Sequence, residues 1–195
     1  MSLLPRPLAA VAALVLLPTA CGWDDDEGDS SRPQPSARPG EPPPGWRTVR
    51  NRTVGFTVAA PKAWPADSSR RTTLIRSDDQ LVSLTIAADR SASGRRLPPA
   101  RYARRTLSSL PGFRGRIDRR APRVRRSPYP SAVVSGTGTV STTIRRQRIS
   151  VAAYRVAGNG TYTAIVFRNA VVQPRFNDRK IARILRTFRA QAPRS

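Results

Sequence analysis

The chain has 195 residues, with 35 Lys and Arg against 12 Asp and Glu, no histidine, one cysteine and a formal net charge of +23. A lone cysteine excludes a disulfide framework, and the lack of histidine or thiol clusters excludes the usual zinc ligand sets. Such a charge attracts polyanions and anionic lipid and makes copies of the chain repel one another.

Residues 1–7 carry Arg6 and the amino terminus as their positive charges, and Leu8 to Leu17 are ten consecutive apolar residues. A spanning helix needs roughly 20, and Pro18 ends this run. A charged start, a short apolar core and a small-residue exit predict a secretory signal over 1–20. No Arg-Arg pair precedes the core, which favours general secretion over the twin-arginine route. Cys21 follows Leu17-Pro18-Thr19-Ala20 directly. The pattern resembles a bacterial lipoprotein signal, in which the cysteine becomes the lipid-bearing first residue. Lipidation of Cys21 implies an anchor in the cell membrane, on its extracytoplasmic face. Such signals usually carry Leu three residues before the cysteine, where this chain has Pro18; Leu17 lies one residue further back. The alternative is an ordinary cleaved signal followed by a chance cysteine.

Residues 21–45 read as a lipidated start followed by a linker. Asp24, Asp25, Asp26, Glu27 and Asp29 form an acidic run, and residues 30–45 hold six prolines and no large apolar side chain. This composition cannot bury enough apolar surface to fold. The folded domain is expected at 46–195, where 32 basic residues stand against six acids. With no disulfide available, that domain depends on core packing alone, which is feasible at about 150 residues.

Within the domain, Val54–Ala60 alternates as a strand, with Phe56 and Val58 on one face. Pro61 and Pro65 bracket a turn that carries Trp64 into the core. Residues 71–76 and 81–87 read as a hairpin around Ser77-Asp78-Asp79-Gln80. Pro98–Leu110 reads as a helix, with Tyr102, Thr106 or Leu107, and Leu110 at helical spacing, ended by Pro111-Gly112. Strands follow near 114–120, 131–140, 144–156 and 161–168, the last two joined by an Ala157-Gly158-Asn159-Gly160 turn. Pro174–Arg189 reads as a final helix, with Ile181, Ile184, Leu185 and Phe188 as its stripe and Arg179, Lys180, Arg183 and Arg186 off it.

Three stretches carry a resemblance. Gly55-Phe56-Thr57-Val58-Ala59-Ala60-Pro61-Lys62-Ala63-Trp64 is similar to the opening of PsbP-like lipoproteins of high-GC Gram-positive bacteria. Thr161-Tyr162-Thr163-Ala164-Ile165-Val166 resembles their last strand. Ile184-Leu185-Arg186-Thr187-Phe188-Arg189 resembles their closing helix. Related domains stand outside the membrane on some bacterial serine/threonine kinases. The resemblance covers about 46–190. It implies an α+β fold, an antiparallel sheet covered by helices as an α/β/α sandwich, and a binding or accessory role with no transferable catalytic residues and no cofactor.

The residues themselves point the same way. Nucleophilic catalysis needs a base, and there is no histidine. The domain's acids are Asp67, Asp78, Asp79, Asp89, Asp118 and Asp178, mostly in expected turns or at a helix start. Asp78-Asp79 reads as a hairpin turn rather than a carboxylate pair. An enzyme is therefore not expected, nor a metal site. The feature above background is the arginine cluster Arg114, Arg116, Arg119, Arg120, Arg123, Arg125 and Arg126, with Arg145, Arg146 and Arg148 as a second group. It is a candidate anion-binding site for wall polymer, lipid headgroups or an acidic envelope protein. The competing reading is a solvated basic surface in an arginine-rich proteome. Nucleic acid would match the charge, but only Phe113 and Tyr129 flank the cluster, which leaves base stacking poorly provided for. Two functions are expected: a lipid-anchored, non-catalytic binding or accessory module of the envelope, or a structural envelope protein that binds polyanions.

Overall fold

The computed structural model describes residues 42–141, 143–169 and 177–192. All of them belong to a unit running from Ala37 to Ser195. Cys21 and the acidic run lie outside the described residues. In chain order the elements are β1 (Trp46–Asn51), β2 (Phe56–Pro61), β3 (Ala66–Ser68), β4 (Thr72–Arg76), β5 (Val82–Asp89), α1 (Ala92–Arg96), α2 (Pro99–Ser108), β6 (Arg114–Ile117), β7 (Ser131–Val140), β8 (Thr143–Val156), β9 (Gly160–Asn169), α3 (Asp178–Arg186) and β10 (Arg189–Ala190).

The strands form two antiparallel sheets, one of seven strands ordered β3-β4-β5-β9-β8-β7-β6 and one of three ordered β1-β2-β10. Side chains alternate across a strand, so the large sheet buries two faces. On one face Leu84, Ile86, Tyr154, Tyr162, Ala164 and Val166 meet the small sheet and α3, through Phe56, Val58, Ile184 and Phe188. On the other, Val134, Ile149, Val151 and Ala153 receive Ala103 and Leu107 of α2. This is the expected α+β sandwich.

α2 approaches closely because the strands beneath it are glycine-rich. A Cβ at Gly136 would stand 3.2 Å from Leu107 Cδ2, and one at Gly138 would stand 2.8 Å from the Cα of Gly115 on the neighbouring strand. Pro98 precedes the helix and Pro99 occupies its first turn, where a missing N–H costs nothing. Its buried stripe is Ala103 and Leu107, with Tyr102 and Leu110 half-buried at the edges.

Several elements differ from the sequence expectation. β1 is an edge strand whose only buried residues are Val49 and the polar Asn51, so its apolar pattern is faint. Asn51 is held inside by donating to the Ser69 carbonyl (2.9 Å) and Thr73 Oγ1 (3.0 Å), and its Oδ1 accepts from Val54 N (2.9 Å). β3, α1 and β10 are too short to show a period, and β6 ends at Ile117 rather than at 120. The final helix is shorter than 174–189. Residues 174–176 lie outside the described residues, and the helix ends at Arg186, with the Thr187 N–H closing the last turn onto the Arg183 and Ile184 carbonyls. The chain then turns away because Thr187 Oγ1 accepts from Ala59 N (2.9 Å), and Arg189–Ala190 pair with β2. Phe188 is thus buried as expected, but just beyond the helix.

Trp64 is fully buried, as the proline-bracketed turn predicts. Residues 43–45 already bond to the domain: Trp46 N donates to the Pro43 carbonyl and Lys62 N to that of Gly45, both at 2.9 Å. No helix among the described residues is long and apolar enough to cross a membrane.

Candidate functional site

The seven arginines of the cluster are all exposed, and the structure spreads them along an edge strand and a crossing loop. Arg114 and Arg116 lie on β6, paired to Thr139 and Thr137 of β7. Arg119, Arg120, Arg123, Arg125 and Arg126 lie on the loop 118–130. That loop is anchored at several points, which forces its charges outward. Arg104 of α2 donates to the carbonyls of Asp118 (3.2 Å) and Arg119 (3.1 Å). Val133 N donates to the Pro122 carbonyl (2.7 Å). Val124 is buried in the core, and Tyr129 Oη accepts from Ala190 N (3.0 Å). Arg126 sits in the left-handed region at φ 59°.

The second group behaves differently. Arg145 and Arg146 are exposed, whereas Arg148 is half-buried and pairs with Asp118 at 3.1 Å. Next to it Arg168 pairs with Asp178 and donates to Ser150 Oγ (3.2 Å), which bonds Ser135 Oγ (2.9 Å). Burial first, and then the charge of Arg148, pull the Arg168 guanidinium below its ordinary value. These charges are matched within the protein, and they stabilise the sheet face.

The charges that gather without acidic partners lie elsewhere. A cleft of about 480 Å³ runs between α3 and the 118–130 loop. Its floor is apolar: Val124, Val133 and Leu185. Its rim is Arg125 from the loop and Arg179, Arg183 and Arg186 from α3. None of the four pairs with a carboxylate among the described residues. Arg183 lies over the Trp46 ring at 5.2 Å, a cation–π contact that fixes its position. Arg186 is half-buried and donates through Nε to the Ala182 carbonyl (3.2 Å).

Sequence reasoning selected Arg125 but left out Arg179, Arg183 and Arg186, which it placed simply off the apolar stripe. Their spacing was the available signal: with Ala182 between them they fall at i, i+4 and i+7, which is one face of a helix. What the sequence did not contain is that this face borders the 118–130 loop.

The remaining acids have structural partners. Asp79 lies in the β4–β5 turn, where it accepts from Ser77 Oγ and from Leu81 N (2.9 Å). Partial burial pushes its carboxyl up, but those hydrogen bonds outweigh it and hold the group below the ordinary carboxylate value. Asp89 accepts from Tyr102 Oη at 2.6 Å and from Ser91 N at 2.8 Å. There too the hydrogen bonds overcome the upward push of burial and leave the carboxyl lowered. Burial, followed by the bond to Asp89, raises the Tyr102 phenol well above its ordinary value. Among the described residues no three acidic, histidine or cysteine side chains gather as a metal site would need.

This architecture is the PsbP/Mog1 fold. The solution structure of cyanobacterial PsbP (CyanoP) from Synechocystis sp. PCC 6803 matches at TM-score 0.55 and 9% identity, covering 77% of this chain and 95% of that one. A mutant of the protein Mog1 matches at TM-score 0.50 and 7% identity, covering 75% and 96%. A crystal structure from Bacteroides thetaiotaomicron matches at TM-score 0.51 and 13% identity, covering 75% of this chain and 49% of that one, so the chain spans about half the length of that protein. At these identities the likeness concerns the fold alone. No protein-family model and no curated protein matches the sequence.

Proposed function

We propose that this protein is a lipid-anchored, non-catalytic module of the cell envelope that docks on an anionic surface or polymer through its arginines. The observation that carries the reading is the rim of Arg125, Arg179, Arg183 and Arg186, four guanidiniums around one cleft with no carboxylate paired to them among the described residues. The Leu17–Cys21 pattern supplies the anchor. Four of the domain's six acids, Asp79, Asp89, Asp118 and Asp178, already have structural partners, which supports a binding role over a catalytic one. Exposed charges are screened beyond roughly 8 Å at physiological salt, so the arginines that touch the partner decide the interaction.

Two measurements test the reading. Cys21→Ser should leave the protein unprocessed or release it from membranes, and the parent should carry acyl mass at Cys21. A parent without acyl mass, and a variant that fractionates as the parent does, would overturn the anchor. The full chain carrying Cys21→Ser should bind anionic vesicles at low salt. Replacing the rim residues Arg125, Arg179, Arg183 and Arg186 by Glu should weaken that binding more than replacing the exposed Arg70, Arg71, Arg95 and Arg96. Equal losses would mean that the charge acts diffusely.

The second reading, a structural protein that binds any polyanion, is favoured by the exposure of all seven cluster arginines along β6 and the 118–130 loop. It differs by indifference to partner chemistry and by a steep, uniform salt dependence.

A further inference from the structure

The cleft beside α3 is more than a patch of charge. A site for a bare polyanion needs arginines and water, but this one has an apolar floor beneath its arginines. Val124 and Leu185 are 8% exposed, and with Val133 they form a wall that water wets poorly. Ala182 lies between Arg179 and Arg183 with a side chain too small to cover that floor. The three α3 arginines project from one helix face, and Arg125 faces them from the loop. An occupant matched to this geometry is anionic at one end and hydrocarbon at the other. The volume, about 480 Å³, falls within the range of roughly 300–1,000 Å³ typical of small-molecule sites. Planar guanidiniums suit phosphate oxygens, to which they can donate in pairs.

We infer that the cleft is a docking site for an anionic phospholipid, with the phosphate held by Arg125, Arg179 and Arg183 and the first methylenes of the tail lying on Val124, Val133 and Leu185. This deepens the reading above and rests on it: the anionic surface would then be read one lipid at a time, with a headgroup lifted into the cleft. Trp46, beneath Arg183, lies close enough to report occupancy.

The test uses the full chain carrying Cys21→Ser and a series of soluble ligands: inorganic phosphate, then ethyl, butyl and hexyl phosphate. Binding is read by tryptophan fluorescence, with Trp46→Phe identifying the reporter, and by calorimetry. A tail that leaves water gains up to about fourfold in affinity per methylene, so Kd should fall at least twofold per methylene along the series, with inorganic phosphate weakest. Ala182→Gln, at an exposed helix position, covers the floor without adding charge and should abolish the gain from chain length while inorganic phosphate still binds. Arg125→Ala together with Arg183→Ala should weaken every ligand in the series. If affinity is flat from inorganic phosphate to hexyl phosphate while anionic vesicles still bind, the cleft reads charge alone, and this inference falls while the docking reading stands. If the series steepens equally in Ala182→Gln, the tail lies elsewhere and the cleft assignment falls. If neither the phosphates nor anionic vesicles bind at low salt, both readings fall together.

Discussion

Phe188 stands where the small sheet, the large sheet and α3 meet. Its ring stacks on Tyr154 with centroids 4.5 Å apart and is flanked by Tyr162 at 5.2 Å, Tyr129 at 5.8 Å and Phe56 at 6.0 Å. The phenols around it are satisfied at their outer ends. Tyr154 Oη donates to the Leu185 carbonyl (3.0 Å), and Tyr162 Oη lies 3.1 Å from the Gly55 carbonyl. Thr187, one residue earlier, links β2 to α3 by accepting from Ala59 N and donating to the Ile184 carbonyl (2.8 Å). Phe188→Ala should therefore cost about 3–5 kcal/mol, a large share of a typical stability of about 5–15 kcal/mol. Urea denaturation measures this, and a variant within a few tenths of the parent would show that the ring cluster contributes little. Asp89 makes a pH-dependent contribution. Its folded carboxyl lies below its ordinary value, so its stabilisation is complete above the unfolded pKa of about 3.9 and is lost as pH falls through the folded value. Asp89→Asn should be less stable than the parent at neutral pH, and its stability should fall less between pH 5 and 3. Identical acid limbs in the two proteins would assign that loss to other carboxylates.

At the scale of elements, β7, β8 and β9 were legible as long runs rich in Val, Ile, Thr and Tyr, the last two joined by the Ala157–Gly160 turn; β7 alternates, whereas β8 and β9, covered on both faces, bury consecutive residues. α3 was legible from Ile181, Ile184 and Leu185. Its end was not, because Phe188 fits the same period whether it stands in the helix or just after it, and only the pairing of Arg189 with Thr57 decides. β1 escaped notice because an edge strand needs few apolar residues, and α1 (Ala-Ser-Gly-Arg-Arg) has no apolar stripe at all. The site divides in the same way. Arg125 was visible as one of a dense run, but its meeting with Arg179, Arg183 and Arg186 depends on how α3 lies against the loop, and no local spacing encodes that. The β6–β7 pair supplies another prediction at this scale. Gly115 and Gly138 lie directly opposite, with no room for a Cβ at either. Gly138→Ala should cost about 1–3 kcal/mol and speed amide exchange in 114–117 ahead of the rest of the sheet. Unchanged protection there would mean that the edge strand can shift at no cost.

The whole molecule combines a folded unit of high positive charge with a proline-rich, acidic stretch before it. The composition of 28–41 gives a protease no core to contend with, whereas the backbone bonds of Pro43 and Gly45 tie the following residues to the domain. Limited proteolysis should cut first before Pro42 and leave a fragment that extends past Ala190. A first cut within the sheet would contradict this layout.

The two borders of β2 come from opposite ends of the domain. β1 reaches it through a short turn, but Thr187 and the strand after it meet β2 from 128 residues further along the chain. A polypeptide emerging N-terminus first would thus expose everything through β9 while the slot for Phe188 was still empty. Contacts of such long range are slow to form. The domain would close only after its last helix had cleared the ribosome, so most of the chain would wait in an open state until its final residues arrived.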